Sequence, residues 1–241
     1  MPLNKEINKV VSNLQRTISE KDLNDFSALE TYPLFSNQCL YVYSFLEDKI
    51  LYSKKPQLLG FSKPLLKENV TEIHPNDVEV YAAAFRVIME YLEENKVSVD
   101  GFTHSLCYRI KKQDGTYARV LRNTSPFELD DKGRLLSNLT ILTDISFMKI
   151  PNQFHWEFIE NGKELTSINE LVYGEIRSIY SKRELQIVTL LLEKQESKQI
   201  AIELNISRHT VDTHRRKLLK KSGCKNTSEL IEYAIQYRLV Y

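Results

Sequence analysis

The C-terminal quarter of this 241-residue chain repeats one pattern four times: a capping residue followed by a short amphipathic segment. Ser181, with Glu184 three residues later, has the spacing of a capping box, in which each side chain bonds the other's backbone amide. Leu185, Val188 and Leu191 follow at helical spacing. Four short helices in so short a stretch share one small core. The pattern therefore predicts an all-α domain over residues 177–241.

The second and third of these helices are joined by only a few residues. Ser197 is predicted to cap the second helix, and Asn205 to end it in the left-handed conformation that Asn tolerates. Ser207 is predicted to cap a third helix, which runs to about Lys221 and stops at Gly223. Two helices joined so tightly are typical of a helix-turn-helix.

The fourth helix is predicted to begin at Asn226, with Glu229 completing its cap. The residues expected on its inner side are Leu230, Ile231, Ala234 and Ile235. Tyr233, Tyr237 and Leu239 are expected to offer apolar surface beyond what a small core uses. Such surface suits a contact between two copies of this chain, so a homodimer is expected.

Charge divides the chain into two unlike parts, although its formal net charge is only +1. Residues 177–241 contain 13 basic and 7 acidic side chains, a net of +6. Residues 1–176 contain 20 basic and 25 acidic side chains, a net of −5. A basic tail behind an acidic body favours a polyanion-binding module. It also suggests that the acidic body docks on the basic helix and masks it.

The predicted third helix has one apolar side, marked by Val211 and Leu218, and one basic side. From Ser207 to Lys221 it carries six basic residues and one acid. A helix face that is merely solvated normally mixes charges, because opposite charges four residues apart stabilise each other. A nearly uniform positive face is more typical of DNA binding.

Four motifs of the tail agree with a known family. They are Ser181-x-Arg183-Glu184, Ser197-Lys198-Gln199-Ile200-Ala201, Ile206-Ser207-x-x-Thr210-Val211-x-x-His214 and Lys221-x-Gly223-Cys224. With them, residues 178–240 resemble the LuxR/GerE family of helix-turn-helix domains. Two residues depart from the family pattern: Gln195 stands where Gly usually ends the first helix, and Ser222 stands where Leu is common. Both affect packing or a turn and leave the binding face intact.

The resemblance places the third helix in the major groove of double-stranded DNA, with its N-terminal half nearest the base edges. The base-reading positions are then Asp212, Thr213 and Arg216. Arginine pairs with guanine and an acid accepts from cytosine, but Asp212 equally fits an intrahelical pair with Arg215 or Arg216. The residues expected to contact phosphates are Lys198, Arg208, Thr210, His214, Arg215, Lys217 and Lys220. For His214, at the edge of the core, a packing role is as well supported as a phosphate bond.

Residues 37–150 are predicted to contain β-strands surrounding a helix. Along one of the strands, polar residues alternate with Phe102, His104, Leu106, Tyr108 and Ile110, which is the period of a half-buried strand. The predicted elements are two short strands (40–46 and 50–53), a helix from Asp77 to about Leu92, and three long strands (102–110, 117–127 and 135–146). Asp114-Gly115 and a turn at Asp130–Gly133 join the long strands into an antiparallel meander.

This order of elements comes with four turn motifs: His74-Pro75-x-Asp77, Asp114-Gly115, Asp131-x-Gly133 and Asp144-Ile145-Ser146. Together they resemble a PAS domain, although each motif alone equally fits an ordinary turn or cap. The resemblance implies a module that senses a signal or mediates dimerisation, without naming a ligand. The expected fold class is α+β: an N-terminal PAS-like antiparallel sheet with flanking helices, then a C-terminal all-α four-helix helix-turn-helix domain.

These patterns predict that the chain divides into four segments. They are N-terminal helices (1–36), a PAS-like sensor or dimerisation domain (37–150), a helical linker (151–176) and the helix-turn-helix domain (177–241). The first segment carries an apolar stripe at helical spacing, formed by Leu3, Ile7, Val10, Leu14 and Ile18. The linker fits two roles equally: carrying conformation from body to tail, or docking on one domain.

Several functional classes are disfavoured. No apolar run approaches the roughly 18 residues of a membrane span, and the N-terminus lacks a signal peptide, so a cytoplasmic protein without a membrane partner is expected. Cys39, Cys107 and Cys224 are far apart and are expected to be free thiols. No catalytic, nucleotide-binding or metal-binding spacing appears, so neither enzyme activity nor a cofactor is expected. Haem held by His74 or His104 is disfavoured, because an isolated His is more often satisfied locally.

These patterns favour a one-component transcription regulator. The PAS-like module would sense a signal, such as a small ligand of unknown identity, or mediate dimerisation, and the tail would bind an operator. RNA polymerase is a further candidate partner. The alternative is a protein-interaction adaptor whose helix-turn-helix binds a protein partner.

Overall fold

The computed structural model describes residues 26–55, 72–148 and 154–240. The chain divides into two compact units, the first ending at Ile168 and the second beginning at Asn169. The apolar stripe predicted from Leu3 to Ile18 lies outside the described residues.

The first unit is built on one antiparallel sheet. Its strands are β1 (Gln38–Ser44), β2 (Lys49–Lys54), β3 (Phe102–Lys111), β4 (Tyr117–Leu129), β5 (Leu135–Asp144), β6 (His155–Glu160) and β7 (Lys163–Glu164). Their spatial order is β2-β1-β5-β4-β3-β6-β7. Two helices, α1 (Ser27–Thr31) and α2 (Val78–Glu94), accompany the sheet. Two strands, a helix and three long strands follow in the order on which the PAS resemblance rests, and the α+β prediction is confirmed.

The alternation along β3 turns one row of side chains into the core, as predicted. That row is Phe102, His104, Leu106, Tyr108 and Ile110, and all five are buried. Helix α2 supplies the facing layer: the ring of Tyr81 lies 5.2 Å from that of Tyr108. Asp77 precedes α2, and its carboxylate accepts from the Arg109 amide at 2.8 Å and from Arg109 Nε at 3.0 Å. This buried ion pair fixes the start of α2 against β3.

The two turns of the long meander are confirmed. Gly115 has a φ of +83° and Gly133 a φ of +79°, a region that glycine enters without steric cost. Asp130 stabilises the second turn, because its Oδ1 accepts from the amides of Lys132 and Arg134 at 2.9 and 2.8 Å. Both turns therefore follow from local chemistry.

The helical linker predicted over residues 151–176 is wrong in its first part. Strand β6 extends the sheet by pairing with β3, and β6 and β7 form a hairpin. Between them Asn161 and Gly162 have φ values of 50° and 74°, the conformation that a tight two-residue hairpin needs. A helix, α3 (Thr166–Ser178), begins only after this hairpin.

The second unit contains the rest of α3 and the four predicted helices. These are α4 (Lys182–Leu192), α5 (Ser197–Glu203), α6 (Arg208–Ser222) and α7 (Thr227–Gln236). The capping box of α4 is confirmed: Ser181 Oγ accepts from the Glu184 amide at 3.3 Å, and the Ser181 amide donates to Glu184 Oε2 at 2.8 Å. Ser207 and Asn226 cap α6 and α7 as predicted.

Three details of this unit differ from the predictions. Glu196, not Ser197, is the N-cap residue of α5, and Ser197 is the first residue inside the helix. The left-handed residue that ends α4 is Lys194, with a φ of 62°, so the glycine-favouring position is not Gln195. On α7, Ile235 faces outward with 64% of its surface exposed, although the helical pattern placed it inside.

The apolar surface expected on Tyr233, Tyr237 and Leu239 is absent, because all three are buried within the unit. The rings of Tyr233 and Tyr237 lie 4.4 Å apart, and Ile176 and Tyr180 are buried with them in the second unit. The core of this unit is therefore larger than predicted, and it uses the residues that were expected to contact a second chain.

None of the described helices is long and apolar enough to cross a membrane. Within the ranges 26–55, 72–148 and 154–240, no group of three or more His, Cys, Asp or Glu residues is placed to hold a metal ion. The three cysteines are free thiols, as predicted.

Candidate nucleic-acid interface

The turn between α5 and α6 is held by several hydrogen bonds. The Ile206 amide donates to the Ala201 carbonyl at 2.9 Å, and Asn205 takes the predicted left-handed conformation with a φ of 51°. Arg183 Nη2 donates to the Leu204 carbonyl at 2.6 Å. The backbone of the turn is therefore hydrogen-bonded both to α5 and to Arg183 of α4. These bonds hold the orientation of α6 relative to α5.

Helix α6 buries one side completely. Val211 and Leu218 are both fully buried, as predicted. A residue of an α-helix is rotated by about 100° from the one before it, which places Arg216 and Lys220 far around the helix from Val211. Arg216, Lys217 and Lys220 are all exposed. The outward face of α6 is therefore basic.

The three predicted base-reading residues are brought together on α6. Arg216 Nη2 donates to Thr213 Oγ1 at 3.2 Å, and Arg216 Nε lies 3.4 Å from the Asp212 carbonyl. The Asp212 carboxylate lies 3.8 Å from Arg208 Nε, so its partner within the helix is Arg208 rather than Arg215 or Arg216. Such a long, exposed pair contributes little stability and leaves both side chains available to a ligand.

Most of the predicted phosphate contacts are accessible. Lys198, Arg208, Lys217 and Lys220 are exposed. Thr210 is only partly exposed, and its hydroxyl lies 2.8 Å from Ser207 Oγ. His214 is also half-buried, and its Nδ1 is buried with no hydrogen-bond partner among the described residues. His209 is exposed on the first turn of α6; sequence reasoning overlooked it, although helical spacing from Val211 places it on the outer side.

Arg215 occupies a different place from the other basic residues of α6. Its guanidinium donates to Ser197 Oγ at 2.6 Å and to Thr227 Oγ1 at 2.7 Å. One side chain thus connects α6 to the first residue of α5 and the first residue of α7. This contact also explains why Ser197 is not the N-cap of α5: its hydroxyl accepts a hydrogen bond from Arg215.

Lys221 is likewise turned into the unit. Its ammonium donates to Glu184 Oε2 at 2.6 Å and to the Ile179 carbonyl at 3.1 Å. Burial raises the pKa of Glu184, but hydrogen bonds from Lys221 and Ser181 outweigh burial and hold the pKa below its usual value. Of the six basic residues counted from Ser207 to Lys221, two therefore bond to groups inside the unit, and the exposed charge comes from the other four.

Comparison with known families agrees with this geometry. Residues 178–234 match the family described as "Bacterial regulatory proteins, luxR family". The second unit thus contains a LuxR-family helix-turn-helix domain, which confirms the resemblance drawn from the sequence motifs.

Relatives with sequence similarity include the oxygen regulatory protein NreC of Staphylococcus aureus. The chain is 29% identical to NreC of strain MRSA252 over 130 residues, which cover 53% of this chain and 56% of that protein. NreC of strain JH9 has the same identity and coverage. The matched stretch spans little more than half the length of these curated relatives.

Similar solved structures include a LuxR-type receptor and a PAS domain. The Vibrio cholerae VqmA dimer in the absence of target DNA is 16% identical, with a TM-score of 0.33, and the match covers 90% of this chain and 88% of that one. A PAS domain from Colwellia psychrerythraea is 17% identical, with a TM-score of 0.37, and covers 51% of this chain and 97% of its own.

Proposed function

We propose that this chain is a one-component transcription regulator that acts on DNA in the cytoplasm. Its second unit binds an operator through α6, and its PAS-like first unit senses a signal or mediates dimerisation. The observation that carries the proposal is the basic outer face of α6, which lies opposite the buried Val211 and Leu218 on a helix whose entry turn is fixed.

Within this proposal the basic residues have three roles. Arg216, with Thr213 and Asp212 beside it, reads base edges from the middle of α6. Lys198, Arg208, Lys217 and Lys220 contact phosphates and set the register of the domain on the duplex. Arg215 orients α6 without contacting DNA, because its guanidinium bonds the hydroxyls of Ser197 and Thr227 inside the unit.

The proposed DNA-bound form is a homodimer on inverted half-sites. Because Tyr233 and Tyr237 are buried in the core, the apolar contact proposed between two copies moves to the outward side of α7. Ile235 is the most exposed apolar residue of that helix. Once two copies occupy an operator, RNA polymerase is the proposed further partner.

The decisive experiment selects bound duplexes from a random DNA library with the full-length protein. The wild type should enrich a sequence with inverted repeats. Arg216→Ala should relax the preference at one base pair of each half-site, with a loss of about 1–3 kcal/mol for the correct base. Lys225→Ala removes an exposed charge outside α6 and is the matched control. A wild-type protein that enriches no sequence would contradict operator binding and favour the adaptor.

A further inference from the structure

His209 lies near the centre of the outward side of α6. Because successive residues of an α-helix are rotated by about 100°, His209 lies about 160° around the helix axis from the buried Val211. By the same spacing, Arg216 lies about 140° and Lys220 about 180° from Val211. His209 therefore belongs, with Thr213, Arg216 and Lys220, to the row of side chains that points most directly away from the core.

The backbone that carries His209 is held on both sides. Before it, Ser207 has the extended conformation of an N-cap, with a φ of −69° and a ψ of 149°. Ser207 Oγ accepts from the Thr210 amide at 3.0 Å, which closes the first turn of α6 around His209. The Ile206 amide, bonded to the Ala201 carbonyl, holds the turn that enters the helix. A side chain on such a backbone contacts a ligand without the cost of ordering a loop.

The two residues that flank His209 in the first turn point elsewhere. Arg208 lies only about 60° from the direction of the core by helical spacing, and its Nε lies 3.8 Å from the Asp212 carboxylate. Thr210 is half-buried, and its hydroxyl lies 2.8 Å from that of the residue that caps the helix. The side chain of His209, in contrast, is exposed. His209 is therefore the residue of the first turn that faces away from the core most directly.

The chemistry of an imidazole favours one of the four bases. A neutral imidazole has one N–H donor and a protonated one has two, so His209 has a donor in either state. In the major groove guanine presents two acceptors side by side, N7 and O6, whereas adenine and cytosine present an amino donor there. Thymine presents one acceptor next to a methyl group. A single donor on a short side chain therefore matches guanine best.

We propose that His209 is a further base-reading residue and donates a hydrogen bond to a guanine in each half-site. The inference deepens the proposed binding of an operator by α6 and rests on it. Since an α-helix rises about 1.5 Å per residue, His209 and Arg216 are about 10 Å apart along the helix axis. That distance corresponds to about three base steps of roughly 3.4 Å. His209 therefore reads a different base pair from Arg216, two or three steps away.

The test compares full-length wild type, His209→Ala and His209→Gln on duplexes selected from a random library. The wild type should prefer guanine over adenine at the predicted base pair by about fivefold, the contribution of one hydrogen bond. His209→Ala should bind the two forms of the operator within about twofold of each other. His209→Gln should reverse the preference, because the amide of glutamine pairs with N6 and N7 of adenine. A residue that only supports the fold would not change the preferred base.

Lys217→Ala is the matched control on the same helix, because it removes an exposed, proposed phosphate contact. It should weaken binding to all sequences alike and leave the base preference unchanged. If His209→Ala behaves as Lys217→Ala does, or keeps the guanine preference, His209 reads no base and the inference is wrong, whereas operator binding stands. A wild type that enriches no sequence contradicts operator binding itself, and the inference with it.

Discussion

The guanidinium of Arg215 donates to the hydroxyl of Ser197 at 2.6 Å, which ties α6 to the start of α5. The same guanidinium reaches Thr227 at the start of α7. A planar fork with several donors makes two such bonds at once, whereas the ammonium of lysine is a compact point charge. Arg215 is therefore placed to set the orientation of α6, the helix proposed to bind DNA.

Arg215→Lys tests this positioning role, because it keeps the charge and loses the fork. We expect it to lower the free energy of unfolding by about 1–2 kcal/mol and to weaken operator binding nearly as much as Arg215→Ala. Denaturant unfolding and binding titrations measure the two effects. Lys217→Arg is the matched control on the exposed face. If Arg215→Lys binds as the wild type does, Arg215 acts as a phosphate contact instead.

Lys194 is the residue at which a stabilising change is expected. It follows α4 in the left-handed conformation, and the next amide, that of Gln195, donates back to the Leu190 carbonyl at 3.0 Å. Glycine adopts this conformation without the steric cost that a side chain brings. Lys194→Gly should raise the free energy of unfolding by about 0.5–1 kcal/mol.

The control for that prediction is the neighbouring residue. Gln195→Gly makes the same replacement at the position where the family pattern suggested glycine, but Lys194 is the left-handed residue. It should destabilise the protein or leave it unchanged, because glycine gains freedom in the unfolded chain. Urea unfolding of both variants measures the two effects. Greater stabilisation by Gln195→Gly than by Lys194→Gly would contradict the assignment of Lys194 as the left-handed residue.

Glu184, which is buried, supports the second unit through its pair with the partly exposed Lys221. Glu184→Gln removes the charge but keeps the shape, and should lower the free energy of unfolding by about 1–2 kcal/mol, since Lys221 loses its counter-ion but stays partly hydrated. Because the folded pKa of Glu184 is depressed, its stabilising contribution is present above the unfolded pKa and disappears as pH falls through the folded one. Glu193→Gln, on an exposed residue, should change unfolding little at any pH; an equal destabilisation in both variants would argue against the pair.

The lowered pKa of His104 predicts a second pH dependence of the free energy of unfolding, over a different pH range. Burial and Arg122 lower its folded pKa to about 3, so below about pH 6.5 the unfolded chain binds a proton that the folded one does not. Stability should fall as pH decreases from 6.5 toward 3, on the order of 1 kcal/mol per pH unit. His104→Gln should flatten this decline in unfolding curves. Parallel wild-type and variant profiles would show that His104 is not the cause.

Local chemistry explains which features the sequence revealed. The caps at Ser181, Ser207 and Asn226 were predictable because each side chain bonds an amide three residues away. The turn glycines were predictable for a different local reason: their positive φ is a conformation that glycine adopts without steric cost. The burial along β3 followed from simple alternation, which needs no knowledge of partners.

Features that depend on distant residues were missed. Ser197 has the composition of a cap, but Arg215, 18 residues away, engages its hydroxyl. The burial of Tyr233 and Tyr237 was missed, because the unit also buries Ile176, which lies before the predicted start of the domain at residue 177. The grouping of the buried polar residues His104, Arg122 and Asn138 could not be read from the sequence either, since they meet only through the register of three strands.

The β6–β7 hairpin has a clear sequence signal that the predicted linker did not include. Asn161-Gly162 is the strongest short hairpin motif, and β6 places its buried Phe158 between less buried neighbours. The apolar stripe from Leu165 onward indicates a helix only for the residues after the hairpin, where α3 begins at Thr166. The two patterns are adjacent in the sequence: the Asn161-Gly162 motif predicts the hairpin, and the apolar stripe predicts the helix that follows it.

If the exposed basic face of α6 holds DNA by its phosphates, operator affinity depends on salt concentration. Binding of the full-length protein to its selected operator is measured over a range of salt concentrations, for the wild type and for Lys217→Ala with Lys220→Ala. We predict a steep decline for the wild type. For the variant, the slope of log affinity against log salt should be shallower by about 0.9 for each phosphate that it no longer neutralises. Identical slopes for the two proteins would contradict the claim.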